Sequence, residues 1–156
     1  MLCVLVTLLI SVYGCAPSAQ KTVQIKGSDT MVNLAQAWAE QYMVKNPGVY
    51  VAVTGGGSGT GLSSLISGTC DIAMSSRTIT EKEISLAKNR GITPHEITVA
   101  LDGIAVVVHP SNTVERLTMN ELADIFSGKI TTWEDVGGRD ATIVVLSREV
   151  NSGTHV

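Results

Sequence analysis

The sequence predicts an α/β fold with a mostly parallel sheet, on two observations. Short apolar strand patterns alternate with helix-period patterns along the chain, the order that a parallel sheet with crossover helices requires. The junctions that follow strand patterns are also rich in glycine and hydroxyl residues: Gly27-Ser28-Asp29-Thr30, Gly55–Gly61 and Ser75-Ser76. In open α/β sheets ligands gather at such strand ends. With 44% hydrophobic and 16% charged residues, the 156-residue chain holds enough apolar side chain for one good core or two small ones.

The elements follow in order. Residues 1–14, MLCVLVTLLISVYG, carry no charged side chain. They are too few to span a bilayer, which takes roughly 20 apolar residues, and fit the apolar stretch of a secretory signal. Val12-Tyr13-Gly14-Cys15 resembles a bacterial lipoprotein box, which implies that Cys15 is acylated and becomes the mature N-terminus. Two departures stand out: Tyr13 is bulky for its place, and no Lys or Arg precedes the apolar run. Residues 15–21 form the lipidated Cys and a polar tether.

Thr22–Ile25 alternates as a strand and feeds a turn at Lys26-Gly27. From Met31, the residues Leu34, Ala35, Trp38 and Tyr42 keep helical spacing until Asn46-Pro47-Gly48 stops them. Val49–Val53 is the next strand. Leu62, Leu65 and Ile66 mark a short helix that Gly68 ends, and Cys70–Met74 is strand-like. Thr80-Glu81-Lys82-Glu83 is a capping box, whose hydroxyl and carboxylate satisfy helix-end N–H groups reciprocally; its helix runs to Arg90-Gly91. Ile97–Leu101 and Ile104–Val108 read as two apolar strands. A second capping box, Thr118-Met119-Asn120-Glu121, opens a helix to Phe126, and Ile143–Leu146 reads as a final strand before Arg148.

Gly55–Gly61, GGGSGTG, satisfies neither the dinucleotide fingerprint nor the nucleotide P-loop: the glycine spacing fails the first, and Leu62 stands where the second needs Lys. What remains is a strand that enters a helix through residues without bulk. Helical N–H groups at such a start approach an anion closely, and Ser58 and Thr60 add hydroxyl donors. The chain repeats the Ser-Gly-Thr element at Ser152-Gly153-Thr154, just after Arg148, which predicts a second helix start of the same kind. A guanidinium grips an oxyanion through two hydrogen bonds. Four strand ends therefore offer one chemistry.

Along its mature length the chain resembles the phosphate-binding periplasmic proteins that serve phosphate ABC transporters. The segments GSDTM, GGGSGTG, GTCDIAMSSR, LDGIAVVVHPSN, LTMNELADIFSGKITTWEDVGG and SREVNSGT follow in that family's order. The resemblance implies a two-lobed periplasmic-binding-protein (Venus-flytrap) receptor that buries inorganic phosphate between its lobes and delivers it to permease subunits. Residues 22–110 then form a complete or near-complete first lobe, and 111–156 the start of a second. By the same resemblance, Ser28, Asp29, Thr30, Ser58, Ser76 and Arg77 bind phosphate from the first lobe. Arg148, Ser152, Gly153 and Thr154 do so from the second. The family's second lobe continues past this point, whereas the chain stops two residues after Thr154. It therefore reads as a truncated product.

Many relatives place an Asp where this chain has Ser76, and that Asp accepts the proton of hydrogen phosphate. With Ser76 here, Asp29 or Asp102 is the candidate acceptor; for Asp29, a helix N-cap is the competing reading. Another tetrahedral oxyanion such as sulfate is the second functional reading, and a defunct fragment that binds nothing is the third.

Other classes find less support. Net charge of −3 without a basic stripe argues against nucleic acid. A phosphatase would bind phosphate too, but no nucleophile–base constellation and no G-x-S-x-G elbow stands in the chain. Neither a metal ligand spacing nor a cofactor motif is present, and the three cysteines offer no disulfide framework once Cys3 leaves with the signal and Cys15 is acylated. A membrane association through the lipid anchor alone, on the periplasmic or cell-surface side, completes the expectation.

Overall fold

The computed structural model describes residues 21–155, so the leader, Cys15 and nearly all of the tether lie outside the described residues. Lys21, read as the end of the tether, already belongs to the first strand. In chain order come β1 (Lys21–Gly27), α1 (Asp29–Lys45), β2 (Val49–Thr54), α2 (Ser58–Ile66), β3 (Ile72–Met74), α3 (Glu81–Asn89) and α4 (Met119–Phe126), with a 3-10 turn at Glu134–Val136. The three strands form one sheet in the order β2-β1-β3. Both pairings are parallel, Lys21 to Lys26 against Val49 to Thr54 and Ile25 to Gly27 against Ile72 to Met74.

That order brings the C-terminal ends of all three strands to one edge. β2 and β3 flank β1 on opposite sides, so the connection from β2 through α2 to β3 crosses β1. The crevice outside such C-terminal strand ends is where open α/β sheets bind their ligands. The Ser28 N–H donates to the Met74 carbonyl at 2.9 Å, tying the end of β1 to the end of β3.

The core is made largely of small side chains. α1 buries Ala35 and Ala39, one turn apart, while Trp38 and Tyr42 on the expected apolar face stay half exposed. Val51, Leu62, Cys70, Met74 and Ala87 complete the buried set around the sheet, and Ile125 is the buried anchor of α4. Both capping boxes form as expected, with Thr80 accepting from the Glu83 N–H and Thr118 from the Glu121 N–H.

Two expectations are corrected. The apolar runs Ile97–Leu101, Ile104–Val108 and Ile143–Leu146 are not strands. A strand is stable only with a ladder partner, and among the described residues none of the three has one; the nearest pairing is an isolated antiparallel bridge, Thr132 with Thr142. Leu101 at 95%, Val107 at 87% and Leu146 at 88% exposure show that these side chains have no cover among the described residues. The second correction is Ser152-Gly153-Thr154, which forms turns and not a helix. The Ser152 N–H reaches the Glu149 carbonyl and the His155 N–H the Ser152 carbonyl. Both are turn bonds between residues three apart, and no bond between residues four apart joins them among the described residues.

Candidate functional site

Three junctions at the crevice edge and one later loop carry the predicted residues. At the end of β1, Ser28 occupies the N-cap position of α1 yet makes no side-chain capping bond, although only 2% of it is exposed. Asp29 opens α1 but does not cap it either. Its Oδ1 accepts the Gly56 N–H at 2.9 Å, across the crevice, and its Oδ2 lies 3.4 Å from Arg148 Nη2. The N-cap reading of Asp29 is thus replaced by a bridge between the glycine-rich junction and the guanidinium. Thr30 follows on α1 and is exposed.

α2 begins at Ser58, after Gly57 in the N-cap position, so this start also lacks a capping side chain. Ser58 is fully buried. Its Oγ accepts the Ser76 N–H at 3.0 Å and lies 3.1 Å from Ser76 Oγ, with either hydroxyl able to donate. The strand ends of β2 and β3 are thereby joined through two hydroxyls.

The turn after β3 is stiffened from both sides. Ser75 Oγ donates to the Arg77 carbonyl at 2.6 Å and accepts the Arg77 N–H at 3.2 Å. Arg77, expected at the anion, instead sets its guanidinium on Glu83 through two bonds of 3.0 and 2.8 Å and donates to the Thr78 carbonyl. Glu83 accepts the Thr80 N–H and hydroxyl as well. The Arg77 hydrogen bonds hold its carboxyl far below the ordinary value, at about 2, with the Thr80 bonds adding to the effect and burial opposing it. The predicted ligand is thus the anchor that fixes the Ser76 turn to the start of α3.

Arg148 and Gly153 reach the same place from far along the chain, Arg148 from 119 positions beyond Asp29, and Ser152 and Thr154 belong to the same loop. Arg148 binds Glu149 through Nε at 3.0 Å and Nη2 at 2.7 Å, in addition to Asp29. Its Nη1 donors have no partner among the described residues. Ser152 is buried, and its Oγ accepts the Thr154 N–H at 3.2 Å. Gly153 lies directly on the paired hydroxyls: a Cβ there would stand 2.5 Å from Ser58 Oγ and closer still to Ser76 Oγ. Only glycine lets the two Ser-Gly-Thr elements meet.

Ser58, Ser76 and Gly153 therefore converge, with Asp29 and Arg148 beside the glycine-rich junction they share. Asp102 is not among them; its carboxylate accepts the adjacent Gly103 N–H. A concavity of about 660 Å³ adjoins the cluster along α2, lined among others by Gly59, Thr60, Ser63, Ser67, Glu83 and Asn151. Its lining carries hydroxyls and a carboxylate but no cation. Sequence reasoning missed Glu149 and Asn151, which hold the Arg148 loop; neither carries a motif signal. Glu83 was legible as a cap, but its hold on Arg77 was not.

Among the described residues, no group of three or more His, Cys, Asp and Glu side chains is placed to hold a metal, and no helix is long and apolar enough to cross a membrane. Cys70 is a buried free thiol, its pKa raised mainly by burial.

Known proteins share this arrangement of sequence and fold. The phosphate-binding protein PstS of Bacillus subtilis (strain 168) is 38% identical over 136 residues, which is 87% of this chain and 44% of that protein. An ABC-type phosphate transport receptor from Vibrio cholerae matches with a TM-score of 0.71 and 41% identity, over 85% of this chain and 52% of its own. A putative phosphate ABC transporter substrate-binding protein with bound phosphate, from Clostridium perfringens, matches with a TM-score of 0.72 and 38% identity, over 86% and 53%. The chain spans about half the length of these proteins. Its fold is the α/β periplasmic-binding-protein fold. A PBP superfamily domain matches residues 16–156, and the chain belongs to that superfamily.

Proposed function

We propose that this chain is the anion-gripping part of an extracytoplasmic receptor that binds inorganic phosphate and hands it to the permease subunits of an ABC transporter. One observation carries the reading: Ser58, Ser76 and Gly153, from three separate segments, come together beside Asp29 and Arg148. Ser28 is buried at the start of α1 and Ser152 next to Gly153, and both helix starts lack capping side chains, so their first-turn N–H groups, apart from those of Met31 and Gly59, are left to an outside acceptor. The phosphate relatives and the phosphate-bound neighbour support the ligand. Binding, not catalysis, is what hydroxyls, amides and one guanidinium supply. Arg77 serves by fixing the Ser76 turn. The residues divide into a first lobe at 22–110 and the start of a second at 111–156.

NMR titration tests this, because amide shifts report binding even in the millimolar range. Inorganic phosphate should shift the Ser58, Ser76 and Gly153 amides saturably; scattered or unsaturable shifts would reject the site. Sulfate should shift the same amides in wild type, since the Ser76 hydroxyl can rotate to donate and need not repel an unprotonated anion. In Ser76→Asp, sulfate should lose its effect while phosphate at neutral pH keeps it, because a carboxylate accepts a proton only from hydrogen phosphate. Equal exclusion of sulfate by wild type would assign the acceptor role to another residue.

Anchoring follows from Val12-Tyr13-Gly14-Cys15. We propose that Cys15 is acylated and is the chain's sole tie to the membrane, with more than one acyl chain making the attachment stable. Incorporation of a fatty-acid analogue in cells should vanish in Cys15→Ser; persistent labelling would refute it.

A further inference from the structure

The Arg148–Thr154 segment reaches the first Ser-Gly-Thr element through one residue that no motif marks. The Asn151 backbone carbonyl accepts the Gly59 N–H at 2.9 Å. Its side-chain amide donates to the Gly56 carbonyl at 3.0 Å and lies 3.3 Å from Thr60 Oγ1. One side chain and its own carbonyl thus bracket the first turn of α2 from both sides. The Gly57 and Gly59 backbones leave the room: a Cβ at Gly57 would stand 2.7 Å from the Asn151 carbonyl oxygen.

The contact answers a need of α2 itself. Gly59 is the second residue of that helix, so its N–H has no acceptor within the helix, and Gly57 in the N-cap position has no side chain to offer one. Asparagine suits the task because it combines two side-chain donors with the backbone acceptor. In docking there it sets its neighbours. Two residues on, Gly153 rests on Ser58 and Ser76; three residues back, Arg148 comes within reach of Asp29.

We infer that Asn151 is a positioning residue that caps α2 in trans and thereby assembles the cluster from its two halves. It holds the second Ser-Gly-Thr element against the first without touching the anion. The consequence for phosphate rests on the function proposed above, but the docking does not, and it is testable with no anion present.

The Gly59 amide is the reporter, since the Asn151 carbonyl is its one acceptor among the described residues. Hydrogen exchange read residue by residue in the 156-residue chain should show Gly59 protected in wild type. Asn151→Ala should speed its exchange at least tenfold while the amides of β1 and β2 keep their wild-type rates. A second variant, Gly59→Leu, drives a side chain into Asn151 at a helical position with no positive φ, where a Cβ meets nothing closer than 3.4 Å. It should speed exchange at Gly59 to the same degree and shift the Gly153 amide as Asn151→Ala does. An unprotected Gly59 in wild type, or protection that survives both substitutions, overturns the role. A failed phosphate titration refutes the binding reading alone and leaves this result standing.

Discussion

Gly61→Ala is expected to destabilise the protein by about 3 kcal/mol or more, against the usual sign of such a change in a helix. Glycine in a helix interior costs roughly 0.5–1 kcal/mol relative to alanine, so the substitution ordinarily stabilises. At Gly61 the helix lies directly on the end of β1. A Cβ would stand 2.5 Å from the Lys26 carbonyl oxygen and 2.6 Å from Gly27 Cα. Both are backbone atoms, and Lys26 and Gly27 are held in the ladder with Ala73 and Met74, so neither can swing aside. α2 must lift off the sheet, taking buried Leu62 and Ser58 with it. Gly59 supplies the control two positions earlier in the same helix, where a Cβ makes only ordinary contacts. Gly59→Ala should leave stability unchanged or slightly raised. Urea denaturation of the two variants and wild type decides it: equal midpoints for Gly61→Ala and wild type would mean that α2 does not approach β1 this closely.

The same contact explains what was legible in the sequence and what was not. Local chemistry was readable: Thr80 and Thr118 announce their helices because a capping box is complete within four residues. The glycine-rich run was readable as a strand passing into a helix without bulk, and Gly61 and Gly57 show what the missing bulk is for. Apolar runs misled where the outcome depends on partners. Ile97–Leu101 and Ile143–Leu146 have the composition of buried strands, yet pairing is a property of two segments; among the described residues the first has no mate, and the second has only the Ile143 N–H on the Thr131 carbonyl beside an isolated bridge. Charge misled in a similar way at Arg77. A guanidinium after Ser75-Ser76 satisfies an oxyanion motif equally well as ligand or as brace, and only the arrival of Glu83 from α3 separates the two. Asn151 was invisible because nothing local distinguishes it. Its meaning comes from residues 91 and 95 positions away.

Arg148→Ala is expected to weaken phosphate binding by about tenfold to over a hundredfold, on the proposed function. Hydrogen bonds to charged groups contribute about 1.5–3 kcal/mol, and each 1.4 kcal/mol is a factor of ten. Arg148 is the cation of the converging cluster, and its surroundings raise the stakes of losing it. Glu149 holds it through two bonds and Asp29 through a third, so its guanidinium stays firmly protonated, chiefly by the Glu149 hydrogen bonds. With Arg148 removed, the anion faces the Asp29 and Glu149 carboxylates without a compensating charge. Two controls separate attraction from that repulsion. Arg148→Lys should recover only part of the affinity, because an ammonium cannot keep the two Glu149 bonds and offer a planar pair of donors to the anion as well. Asp29→Asn placed on Arg148→Ala should restore more binding than it adds to wild type, as two residues sharing one interaction require. Phosphate titrations of wild type, the three single variants and the double variant, followed at the Ser58 and Gly153 amides, give the answer. An apparent Kd raised less than threefold by Arg148→Ala would remove the guanidinium from the site, and additive effects in the double variant would mean that Asp29 and Arg148 act on the anion independently.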